Sequence, residues 1–328
     1  MITRPNRPRY AARLNAFRAG LPKDATIAEM IARAGEVGGL SAADLNYPDH
    51  FAHHDADALT TILADHGMVL NGLAMRYYTD PGFKLGAFTN PDPAVRQAAI
   101  DVTRAGLDTL AVMGGRLMTL WMGQDGVDYS FQGDYRAMWD WTIAALDAVA
   151  AHNPDIDIAI EYKPNEPRAY ALMPDVATTL LAIRECGAPN LGVTLDFAHV
   201  LYADEMPAHA AHLVARHSRL LGVHLNDGYG KRDDGLMVGT VHPIQTVELL
   251  VETLRMGYDG AIYFDTFPDA GGLNPVEEAR TNIAQVDALA RVAEDLVEDT
   301  ALADAIAAQD ATRSMRIVAQ ALYGAPRR

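Results

Sequence analysis

The chain has 328 residues, 49% of them apolar and 21% charged, a globular composition with room for one large domain or two small ones. Its 43 acidic residues against 27 basic ones leave a net charge of -16, which argues against nucleic acid or an anionic membrane as the main partner. The single cysteine, Cys186, excludes an internal disulfide and a cysteine-based zinc site.

Residues 1–8 lack the apolar core of a signal peptide, and no run reaches the ~18 apolar residues of a membrane span. We therefore expect a cytoplasmic protein. Tyr10–Phe17 is the first predicted strand, followed by a helix over Ala25–Ala34 and a second strand over Leu40–Tyr47. A loop with three histidines, His50, His53 and His54, leads to a helix from Asp57 to His66, closed by Gly67. Val69–Met75 is the third strand. A long loop to Asn90 precedes a helix that starts at Pro93 and stops at Gly114-Gly115.

Leu117–Trp121 is the fourth strand, and Asp134–His152 the helix after it. The fifth strand, Ile156–Ile160, ends in Glu161-Tyr-Lys163, and period 2 puts the acid and the base on the same side. Pro164 then stops the ladder. Three more units follow: helix Pro174–Cys186 and strand Leu191–Asp196; helix Met206–Arg216 and strand Leu220–Asn226; helix Ile244–Met256 and strand Ala261–Asp265. A helix from about Asn274 to Val292 completes the series, and Leu296–Tyr323 adds one or two alanine-rich helices. Eight strand–helix units predict a (β/α)8 TIM barrel over residues 1–295, with a short C-terminal helical extension over 296–328. No Gly-x-Gly-x-x-Gly follows the first strand, which disfavours an open doubly wound sheet.

Four strand ends carry ligand-type side chains: Glu161, Asp196, His224 and Asp265. A lone acid after a strand is ordinarily a helix cap, and a lone histidine a satisfied core residue. Four in register on consecutive strands of a closed barrel converge on one cavity. Three carboxylates beside one imidazole repel each other unless a cation sits among them. Oxygen-rich ligation of this kind suits Mn2+, Mg2+ or Co2+. His199, three residues past Asp196, is placed to reach a second ion, and the loop containing Asp233 could add oxygen ligands.

These residues resemble the xylose isomerase family of sugar isomerases. Lys163-Pro-Asn-Glu-Pro-Arg168 is close to that family's fifth-strand signature. Phe83–Asn90 resembles its loop after strand three, and Leu120–Gly123 its segment with a substrate-flanking tryptophan. Asp196-Phe-Ala-His199 matches its acid-x-x-His motif, His224–Gly239 its ligand loop, and Phe264-Asp265 its eighth-strand ligand. The likeness runs from about Leu40 to Ala290. L-rhamnose isomerases and ketose 3-epimerases share the wider architecture.

The resemblance implies that Glu161, Asp196, His224 and Asp265 hold a structural metal, and that Asp196, His199 and Asp233 hold a second, mobile one. It implies an aldose–ketose isomerase moving hydride between C1 and C2 of an open-chain sugar. Lys163 would donate to O1, and Trp121 would wall the sugar. We set Lys163, His199 and Glu161 in the chemistry, and Trp121, Asn226 and Lys163 at the substrate.

Three departures stand out. Gly235 replaces the second loop aspartate, with Asp234 the nearest substitute; the ring-opening histidine would fall near Asn46, with His50, His53 or His54 as replacements; and the C-terminal arm is short. The alternative reading is a one-metal proton-transfer enzyme, such as a ketose 3-epimerase or a keto-sugar (acid) decarboxylase or lyase. Few lysines or arginines are expected near the mouth besides Lys163, Arg168, Lys231 and Arg232, which mildly disfavours a phosphosugar. The expected partner is a small sugar, and the expected assembly a homo-oligomer, dimer or tetramer.

Overall fold

A computed structural model describes residues 9–324. The stretch 1–8, read above for a signal core, lies outside them. Eight parallel strands form a closed barrel: β1 (Tyr10–Arg13), β2 (Ala42–Tyr47), β3 (Val69–Met75), β4 (Leu117–Leu120), β5 (Asp157–Glu161), β6 (Leu191–Asp196), β7 (Leu220–Leu225) and β8 (Ile262–Phe264). Each strand pairs with the next in sequence, and β8 closes on β1 with Ile262 opposite Tyr10. Runs such as Ile158-Ala-Ile160 and Val193-Thr-Leu195 are buried on both faces, as parallel strands wrapped by helices must be.

The outer layer comprises α1 (Ile27–Gly35), α2 (Ala56–Asp65), α3 (Pro93–Val112), α4 (Tyr135–Ala150), α5 (Val176–Cys186), α6 (Pro207–His217), α7 (Pro243–Arg255) and α8 (Pro275–Val297). Their starts are written locally. Thr26 and Glu29 form a capping box on α1, and Asp92 and Asn274 cap α3 and α8 ahead of a proline. α9 (Thr300–Ala307) and α10 (Ala311–Tyr323) pack on the outside of the barrel through Leu302, Ala305 and Val318. Among the described residues, no helix is long and apolar enough to cross a membrane.

Two elements differ from expectation. The first strand stops at Arg13, and Leu14–Arg18 forms a 3-10 turn. Leu14 and Phe17, three apart, share one buried face there, a helical rather than a strand spacing. A six-residue helix, Phe197–Tyr202, follows β6 directly. Its cause is Asp196, whose side chain accepts the His199 N–H at 3.0 Å and so starts a helix where a loop was expected.

Candidate metal centre and substrate cavity

Glu161 ends β5, Asp196 ends β6, His224 is next to last in β7, and Asp265 follows β8. Barrel register sets Asp196 opposite His224. One ligand atom from each of the four lies within 4.8 Å of the others. His224 Nδ1 is 3.4 Å from Glu161 Oε1 and 3.9 Å from Asp196 Oδ2. Arg13 Nε stands 3.5 Å from Asp265 Oδ1. The predicted quartet is thus assembled at the C-terminal mouth of the barrel.

Its electrostatics are strained. Burial pushes the Asp196 carboxyl up to about 7, and the charges of Asp233, Asp265 and Glu161 add to the push. Asp265 is raised for the same reasons, burial first and then Glu161. Burial also opposes the charge on His224, but Glu161 and Asp265 outweigh it and lift the imidazole to about 9. Glu161 in turn is lowered despite its burial, because His224 and His199 face it.

His224 Nδ1 and Asp265 Oδ1 are buried without a hydrogen-bond partner. Such atoms are rare in folded proteins. A divalent cation among three carboxylate oxygens and one imidazole nitrogen would satisfy them and cancel the repulsion. The four side chains therefore fit the ion that their types suggested.

Asn226 acts behind this quartet. Its Nδ2 donates to Asp196 Oδ2 at 3.0 Å and to the Asp265 carbonyl at 3.0 Å, while its Oδ1 accepts the Ala198 N–H at 2.8 Å. With both side-chain polar atoms engaged and 1% exposure, Asn226 braces the Asp196 carboxylate and the Asp265 backbone from behind rather than facing the cavity.

His199 links the quartet to a second group. Its Nδ1 is 3.6 Å from Glu161 Oε1, and its Nε2 is 3.2 Å from Asp233 Oδ2. Burial works against its charge, yet Asp196 and Asp233 hold it at about 10. Lys163 Nζ donates to the same Asp233 oxygen at 3.1 Å and pairs with Glu166 at 3.0 Å. Burial alone would raise Asp233, but the cations of His199 and Lys163 keep its carboxyl well below the usual range. Trp121 lines the cavity, with Lys163 Nζ 5.4 Å from its ring centre and Tyr78 packed edge-on at 5.0 Å.

Gly235 has φ +56, and a Cβ on it would lie 2.3 Å from the Phe267 ring. An acid there would have to displace the Phe267 ring. Asp234, the expected substitute, is turned to its own loop instead: it accepts the Tyr229 N–H at 2.8 Å and Arg232 Nε at 2.7 Å. Of the three histidines after β2, only His50 is buried, and its Nε2 lies 2.9 Å from Oδ1 of Asn15, a cavity residue.

The cavity encloses about 310 Å³. Its β1–β3 side carries residues that sequence reasoning missed: Arg13, Asn15, Asp44 and Arg76. Asp44 is buried, and it accepts Asn71 Nδ2 at 2.7 Å. Of the bases expected near the mouth, only Lys163 lines the cavity; Arg168 pairs with Asp128 at 3.0 Å, and Lys231 and Arg232 are exposed. The expectation of a cation-poor mouth is corrected by Arg13 and Arg76. Each is a single base at or just past the end of a short strand, with no motif around it.

Comparison with known proteins gives a consistent result. A xylose isomerase from Thermus thermophilus is 32% identical over 210 residues, covering 62% of this chain and 54% of that protein. The match thus spans about half the length of that relative. Among solved structures, a D-tagatose 3-epimerase-like protein superposes with a TM-score of 0.72 at 16% identity, over 88% of this chain and 99% of that one. An L-ribulose 3-epimerase gives 0.70 at 16%, over 89% and 98%. These two share the fold. The family described as xylose isomerase-like TIM barrel matches residues 29–289, most of the chain. The chain belongs to the xylose isomerase-like TIM-barrel family.

Proposed function

We propose that this protein is a divalent-metal-dependent sugar isomerase that interconverts an aldose and a ketose by moving hydride between C1 and C2. The observation that carries this reading is Lys163, a buried ammonium in the same cavity as the quartet. Burial opposes its charge, but Asp233 and Glu166 raise its pKa above the ordinary value, so it stays a cation. A fixed cation beside a sugar oxygen stabilises negative charge as it develops there. The 32% identity to a xylose isomerase supports the same reaction class.

Glu161, Asp196, His224 and Asp265 would hold Mn2+, Mg2+ or Co2+, which when bound supplies Lewis acidity to the substrate oxygens. His199 spans the gap between Glu161 and Asp233, and it orients Asp233 toward Lys163. Trp121 and Tyr78 form an aromatic wall that excludes water from the sugar.

A second reading has its own observation. The Phe267 ring fills the place of a loop acid at residue 235, which favours a one-metal enzyme working by proton transfer, as in a ketose 3-epimerase. One experiment separates the two: NMR of unphosphorylated aldoses and ketoses with Mn2+ and this protein in D2O. The isomerase reading expects C1–C2 interconversion with little deuterium in the product. Deuterium incorporation would move the assignment to proton transfer.

A further inference from the structure

Among the described residues, three lysine and arginine side chains line the cavity, and carboxylates engage two of them. Arg13 is held by Asp265 at 3.5 Å and Asp269 at 3.3 Å, and it lies over the Phe267 ring. Lys163 is held by Asp233 and Glu166. Arg76, directly after β3, differs. Among the described residues no carboxylate lies within 4.0 Å of its guanidinium. Its side chain makes one hydrogen bond, from Nη1 to the Tyr78 hydroxyl at 2.6 Å, and its Nε is buried with no partner.

A permanently charged, partly buried group with unused donors is costly unless something completes it. Nη2 makes no hydrogen bond and is not buried, so it is the donor open to a carboxylate or phosphate, and a small turn of the guanidinium would add Nε as the second of two parallel bonds. Tyr78 fixes the guanidinium through that hydrogen bond and a stack at 5.2 Å, and is itself braced on Trp121. The anchor is thus preorganised.

Position sets which end of a ligand it would meet. In the barrel order, β3 stands across from β7, while the quartet occupies β5 to β8. Even with a divalent ion bound, the three carboxylates of the quartet leave that end net negative, and Asp233 lines the cavity beside them, so an anionic group is disfavoured there. At the opposite side it would meet Arg76. We propose that Arg76 is a specificity-determining residue that binds an anionic group, carboxylate or phosphate, at the end of the substrate remote from the quartet. The preferred substrate is then an acidic or phosphorylated sugar rather than a neutral one. This inference rests on the sugar reading above.

The test is calorimetric binding of three unreactive probes to the Mn2+-loaded protein: D-glucitol, D-gluconate and D-glucitol 6-phosphate. The expected result is that one anionic probe binds at least about tenfold tighter than glucitol, the size of one charge-assisted hydrogen-bond pair. Arg76→Gln abolishes that gap and leaves glucitol binding unchanged, while Arg76→Lys retains part of it. Whichever anion shows the larger gap identifies the group. Equal binding of all three, or a gap that survives Arg76→Gln, overturns the role of Arg76 while glucitol binding keeps the sugar reading standing. Failure of all three to bind overturns both.

Discussion

Phe267 and Gly235 lock each other in place. The Phe267 N–H donates to the Gly235 carbonyl at 2.9 Å, and its ring fills the space a side chain on residue 235 would need. Arg13 covers the same ring at 4.8 Å. The acid missing from this loop is therefore excluded by packing. Restoring it by Gly235→Asp should not build a ligand. It should destabilise the protein, by about 1–2 kcal/mol for the left-handed backbone alone, with the ring overlap in addition. Thermal melting of Gly235→Asp and of Gly235→Asp with Phe267→Ala checks this: the second change should recover part of the loss.

Metal binding should be visible as stability. Free Mn2+ at about 100 times its Kd adds about 2.7 kcal/mol to a protein that binds it only when folded. Asp265→Asn removes one of the four converging ligands. Melts with Mn2+ and with a chelator should differ for the native chain and coincide for this variant.

Asn226 predicts a subtler loss. Its amide is the donor that holds both Asp196 oxygens, at 3.2 and 3.0 Å. Asn226→Ala leaves every ligand in the sequence but frees Asp196 to turn. Mn2+ affinity measured by titration should fall about 10–100-fold, the usual effect of losing such a support.

Lys163→Met should spare the quartet and strike the reaction. The expected loss is on the order of 10²–10³ in kcat, the scale of removing one fixed donor to developing charge. Mn2+ binding should persist. Single-turnover kinetics and a metal titration on the same sample would sink the assignment if both properties fell together.

His50 gives the fold a pH limit. Its Nδ1 accepts the Asn46 N–H at 3.0 Å, which fixes the neutral tautomer with the proton on Nε2, toward Asn15. Burial, with Arg76 and Arg18 nearby, lowers its pKa from 6.5 to about 3. The unfolded chain takes up a proton below 6.5 that the folded one refuses until about 3. Its contribution is present above 6.5 and is lost progressively as pH falls toward 3. Urea denaturation across that window should show a shallower decline for His50→Gln.

The quartet was legible because each ligand closes an apolar run and the runs recur at one strand–helix spacing. Barrel closure then brings neighbouring strand ends together whatever their loops do. Arg76 and Asp44 were not legible. Each is a single polar residue at or within a short apolar run, and which residues face the cavity depends on the register between strands. The sequence sets Asn226 at the substrate; its amide turns to Asp196 and the Asp265 carbonyl, which only the paired strands reveal. The glycine at 235 was visible, but its cause lies in Phe267, on the far side of a helix and a strand in sequence.

Asp196 carries two duties with one carboxylate: it belongs to the quartet, and it starts the helix that bears His199. The two duties fall on different oxygens: Oδ1 accepts the His199 N–H at 3.0 Å, while Oδ2 faces His224 Nδ1 at 3.9 Å. One carboxylate thus ties the start of a helix to the edge of the quartet, and Asp196→Ala should lose Mn2+ affinity and the hydrogen-exchange protection of the His199 amide together.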